Sequence, residues 1–135
     1  MLSLIPPYIA MNPAATITGN LFPLPQIPEN PMAISKAFST LLQEAPAHAK
    51  AWMETAKALD EASALDKKTG ELAYIAVLAA TGNLSGIPWH VLSAKSHGAS
   101  REEVLSAVLV GLPAIGAVVI GALPAALDAY DGDGH

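Results

Sequence analysis

Apolar residues return every three or four positions in two successive stretches of the chain. The first set is Ile34, Ala37, Phe38, Leu41 and Leu42, and the second is Trp52, Met53, Ala56 and Leu59. Such spacing lays each set along one side of an α-helix and predicts a buried stripe on each. Asn30 followed by Pro31 reads as the start of the first helix, a capping residue before a proline at the first helical position. Pro46 restarts the second, which runs to near Ser63 with His48 solvated in its first turn. Asp66 is placed to cap a third helix reaching about Thr81, with Leu72, Ile75, Ala76, Ala79 and Ala80 among its buried positions. A turn rich in Gly, Asn and Ser then leads to Pro88, which opens a fourth helix that stops at Gly98. Ser100 and Glu103 have the spacing of a capping box for a helix from Arg101 to about Val110. Pro113 starts the last, from Ala114 to about Tyr130, kinked at Pro124, with Gly116 and Gly121 letting neighbours approach. The predicted class is all-α.

The segment before these helices is different. Residues 1–31 hold seven of the eleven prolines, which favours extended backbone, and enough apolar side chains to lie against the body or a neighbouring subunit. The expected organisation is a Pro-rich arm over 1–31, a helical domain over 32–130 and a disordered acidic, Gly-rich tail over 131–135. Asp131 and Asp133 in that tail imitate part of a calcium loop, but nothing after them supplies the remaining ligands.

Composition narrows the partners. Hydrophobic residues make up 52% and charged residues 14%, too little charge to cover a free monomer when an average domain carries about 25%. Surplus apolar surface is therefore expected to meet copies of the same chain. Aromatic residues are only 5%, which favours closely packed helices over aromatic-rich strands. With 7 basic against 12 acidic residues and a net charge of −5, no cationic stripe is present to neutralise phosphates, and nucleic acid is not an expected partner. The uncharged run Val104–Leu127 is long enough to cross a bilayer. It is cut by Pro113 and Pro124, flanked by acidic residues and lacks an aromatic belt, so a helical hairpin in an oligomer core is expected instead of a membrane span. The amino terminus lacks a basic region ahead of its broken apolar run, and a cytoplasmic location is expected. The absence of cysteine removes disulfides, thiolate metal sites and thiol redox chemistry by this chain alone.

The candidate chemistry lies between Glu71 and Gly98, where two helices facing each other would bring Glu71 and His90 into one pocket. Histidine is the side chain that ordinarily changes charge near neutrality, so His90 is the expected general acid or base, with Glu71 fixing its tautomer or holding a water. Glu71 also has a plainer reading, an acidic residue about one turn into a helix stabilised by the dipole. Gly70 costs roughly 1 kcal/mol against Ala in a helix interior, which points to close approach by another segment or a bound group. His90, Ala94 and His97 share a helix face. His97 is about 10 Å from His90 along the axis, too far for one ion, and neither a metal nor another cofactor is expected.

Several features of the run from Leu65 to Leu127 recur together: LDKKTGEL opening a helix, His90 nineteen residues after Glu71, then Ala94, Gly98, Ser100, Glu102-Glu103-Val104, and GLPAIGAVVIGALPAA. In these it resembles the carboxymuconolactone decarboxylase and alkylhydroperoxidase D family. The resemblance implies an alkylhydroperoxidase D-like helical bundle assembled as a trimer or hexamer. It also implies that Glu71 and His90 match the glutamate and histidine of the peroxidase branch's proton relay, whose two cysteines fall on Asn83 and Gly86. Thiol peroxidase activity is thereby excluded. The decarboxylase branch keeps the histidine without the cysteine pair. Its charged residues ahead of the histidine are replaced here by Gly86, Ile87, Pro88 and Trp89, which leaves no obvious cation for a carboxylated lactone.

The expected function is a cofactor-free acid/base enzyme acting on a small lactone or carbonyl compound by decarboxylation, isomerisation or hydrolysis. His90 and Glu71 are its candidate catalytic residues, and Asn83, Gly86 and Trp89 its candidate pocket. The alternatives are an oligomeric small-molecule-binding protein without catalysis, or a structural oligomer with a vestigial site.

Overall fold

The computed structural model describes residues 34–132, and within them every regular element is a helix. In chain order these are α1 (Lys36–Glu44), α2 (Pro46–Ala62), α3 (Lys67–Thr81), a 3₁₀ turn (Leu84–Gly86), α4 (Ile87–Ser96), α5 (Arg101–Leu109), α6 (Leu112–Ile115), a 3₁₀ segment (Gly116–Ala122) and α7 (Leu123–Asp131). The Asn30–Pro31 signal and the arm lie outside the described residues. The first described helix is capped by Ser35, whose hydroxyl accepts from the Phe38 amide.

The body is built by α3 to α7. α4 lies between α3 and α7, and α5 packs on both. Ile75, Ile87, Val91, Val104, Val108 and Val119 are fully buried, and the small residues Ala79, Ala94, Ala122 and Ala126 let the helices approach closely. Two local signals set this frame. Asp66 accepts from the Thr69 amide at 3.0 Å and so starts α3. Ser100 and Glu103 form the reciprocal capping box that starts α5.

α1 and α2 pack on each other, with no more than marginal contact to the body. The predicted buried stripes are therefore not buried: α1 has no buried residue, α2 has only Ala49, and Trp52 and Leu59 are 63% and 67% exposed. Amphipathic spacing identified the helices, but no described residue covers their outer face.

The single last helix expected from Ala114 to Tyr130 is in fact three pieces. Gly116 has φ 73° and ψ −153°, a conformation open to glycine and strained for any other residue, and it breaks the rod after α6. The run from Arg101 to Asp131 is apolar and long enough to cross a bilayer by length and composition. In the structure it folds back, so that α5 and α7 pack together. Asp131, assigned above to the tail, ends α7 and accepts two hydrogen bonds from the Arg101 guanidinium, at 2.8 and 3.0 Å. Residues 133–135 lie outside the described range.

Candidate functional site

The sequence puts a carboxylate on α3 and an imidazole near the start of α4, and the fold brings them into contact. His90 Nδ1 is 2.6 Å from Glu71 Oε2. A carboxylate only accepts, so the imidazole proton sits on Nδ1, in a short charge-assisted hydrogen bond. Glu71 is 8% exposed, the one buried charged residue among those described. Its other oxygen is held too, for Ser93 Oγ donates to Oε1 at 2.9 Å. Lys67 Nζ stands 3.7 Å from Oε1 but is closer, at 3.0 Å, to Asp60. Burial pushes the Glu71 carboxyl up. The hydrogen bonds from His90 and Ser93, with the charges of His90 and Lys67, outweigh it and hold the group below the usual carboxylate range. Glu71 is thus ionised at neutral pH.

Glu71 lies beyond the first turn of α3, which contains no acidic residue. The helix dipole fades within that turn, so the pairing with α4 is what accounts for a carboxylate here. Gly70 does not mark a close approach, since a Cβ built there meets nothing within 4 Å.

On α3, Tyr74 follows Glu71 by one turn and lays its ring on the imidazole, with centroids 4.1 Å apart and planes inclined by 25°. His90 Nε2 makes no hydrogen bond with any described residue, and no buried side-chain nitrogen or oxygen lacks a partner. Among the described residues, Nε2 is accordingly the atom of the group without a hydrogen-bond partner. His97 lies apart from the pair: it closes α4 by donating from Nδ1 to the Ser93 carbonyl at 2.7 Å.

The candidate pocket residues stand at the 3₁₀ turn and in the first turn of α4, ahead of His90. Asn83 is exposed and accepts from the Ser85 hydroxyl at 3.2 Å. Gly86 sits against Leu78, and Trp89 is half-buried. An open groove of about 680 Å³ lies on the other side of α3, walled by Leu72, Ala73, Ala76, Ala107 and Val110 with Glu102 and Glu103 at its edge. None of Asn83, Gly86 and Trp89 lines it.

Ser93 and Tyr74 escaped the sequence reading, which followed the four- and seven-residue spacing from His90 to Ala94 and His97. The three-residue spacing from His90 and from Glu71 was the available signal.

A comparison with protein families matches residues 46–129, from the start of α2 to near the end of α7, to the carboxymuconolactone decarboxylase family. The chain belongs to this family. The match covers more than half of its length and takes in α2, which the sequence resemblance, beginning at Leu65, left out. The Glu71–Ser93–His90 group lies entirely inside the carboxymuconolactone decarboxylase segment. No curated protein and no solved structure matches the chain.

Proposed function

We propose that this member of the carboxymuconolactone decarboxylase family is an acid/base enzyme that needs no cofactor and acts on a small, largely apolar lactone or carbonyl compound. The observation that carries the reading is the 2.6 Å contact between His90 Nδ1 and Glu71 Oε2, with the opposite ring nitrogen unbonded among the described residues. In such a pair Nε2 takes a proton from an acidic carbon or an attacking water. The positive imidazolium that results is stabilised by a carboxylate already in place. The same nitrogen returns the proton to the product. Isomerisation and hydrolysis use both halves of this exchange, whereas decarboxylation uses the second: loss of CO₂ leaves an electron pair on carbon, which takes a proton from Nε2. Thiol peroxidase chemistry is left out because a thiolate nucleophile is required and the chain has no cysteine.

Homo-oligomeric assembly belongs to the same proposal. Val110, Leu112, Ile115, Val118 and Ile120 are all between 39% and 66% exposed, an apolar surface of the kind that marks an interface. A second reading, a binding protein without catalysis, is supported by the groove lying across α3 from His90.

The test is turnover of a panel of small lactones and β-keto acids by the wild type and His90→Ala. A substrate turned over by the wild type and lost by at least a hundredfold in the variant, with helicity and assembly unchanged, supports the enzyme. Equal turnover by both proteins sinks it.

A further inference from the structure

We propose that Ser93 is a positioning residue, whose hydroxyl anchors the second oxygen of Glu71 so that the carboxylate faces His90 in one orientation and fixes its tautomer. A glutamate carboxyl turns easily about its last torsion, which is broad and roughly two-fold. One hydrogen bond leaves that freedom, whereas two from a rigid base remove it. His90 and Ser93, three residues apart on α4, supply that base: Nδ1 holds Oε2 at 2.6 Å and Oγ holds Oε1 at 2.9 Å.

The hydroxyl's choice of partner is informative. Serine and threonine within helices commonly bond back to the carbonyl four residues earlier. Thr40, Thr55, Thr81 and Ser106 do so here, at 2.7 to 2.9 Å. Ser93 instead crosses from α4 to α3 and reaches the one buried carboxylate. With both oxygens occupied, Glu71 orients the imidazole and is not itself free to exchange a proton with substrate. Nε2 remains as the reacting atom. The word positioning rests on His90 being the base proposed above; the tautomer assignment does not.

The test is nitrogen-15 NMR of the imidazole in the full chain, for the wild type, Ser93→Ala and the near-isosteric pair Ser93→Thr and Ser93→Val, which differ in the hydroxyl. In the neutral form of the imidazole, the wild type and S93T are expected to carry the proton on Nδ1 alone. S93A and S93V are expected to show a mixture of the two tautomers, with the Glu71 carboxyl titrating at higher pH than in the wild type. Wild-type nitrogen shifts in S93V, or a mixture in S93T as large as in S93V, overturn the assignment. On a substrate found in the His90→Ala screen, S93V should lower kcat about tenfold, with S93T close to the wild type. A tautomer change with no turnover by any variant defeats the enzyme and leaves the Ser93 assignment standing. His90-dependent turnover with unmoved nitrogen shifts does the reverse.

Discussion

Replacing Glu71 by Gln keeps the shape of the side chain and removes its charge, which makes it the most direct probe of the α3–α4 contact. The carboxylate accepts from both His90 and Ser93. A carboxamide offers one oxygen acceptor and one NH₂ donor, so one of the two donors must lose its partner. A hydrogen bond to a charged group contributes about 1.5–3 kcal/mol, and E71Q is expected to cost about 2 kcal/mol at pH 7. For a domain of this size that lowers the melting temperature by roughly 10 °C. The pH dependence gives the sign. Because the folded carboxyl is held below its ordinary value, its contribution is complete above the unfolded pKa of about 4.3 and fades as pH falls through the lower folded value. The gap between wild type and E71Q should therefore be widest near neutrality and shrink below about pH 4. Urea unfolding at fixed protein concentration, at pH 7 and at successive values below 4.5, measures it. Equal midpoints at pH 7, or a gap that stays constant into acid, would refute the account of Glu71 as an ionised, doubly held carboxylate.

Gly116→Ala places a side chain where φ is 73° and ψ is −153° and should cost about 1–3 kcal/mol from backbone strain alone. Open space surrounds the missing Cβ, so an unchanged urea midpoint would mean that the break at Gly116 is not formed. Ile115→Asp with Val118→Asp charges two positions that are 46% and 49% exposed. Size-exclusion chromatography with light scattering should show an assembled wild type and a smaller variant. A monomeric wild type, or equal masses for both, would remove this face as the interface.

The sequence made the boundaries of the body legible because they are set locally. Asp66 caps α3 through a residue three positions on, and Ser100 and Glu103 cap each other. The Glu71–His90 contact was legible for a different reason: two helices joined by a short turn must run side by side, which left few other partners for a carboxylate at mid-helix. What failed was whatever depends on the far side of an element. Trp52 and Leu59 have the right period for burial but no partner helix within the described chain. Gly116 looks in sequence like any small residue in an apolar helix, and only its positive φ shows that it ends one. Ser93 is ordinary by propensity, and its role appears once the buried carboxylate opposite it is known.

The lacing at the end of α7 has a consequence for how the chain matures. Tyr130 donates its hydroxyl to the Ala99 carbonyl at 2.9 Å while its own carbonyl receives Lys95, and Arg101 grips Asp131. Ala122 and Ala126 complete the interior against helices made much earlier. During synthesis the faces of α4 and α5 that α7 covers must therefore wait, without a place to hide, until nearly the last described residue has left the ribosome. Shortening the protein from its carboxyl side is then a change to solubility before it is a change to chemistry.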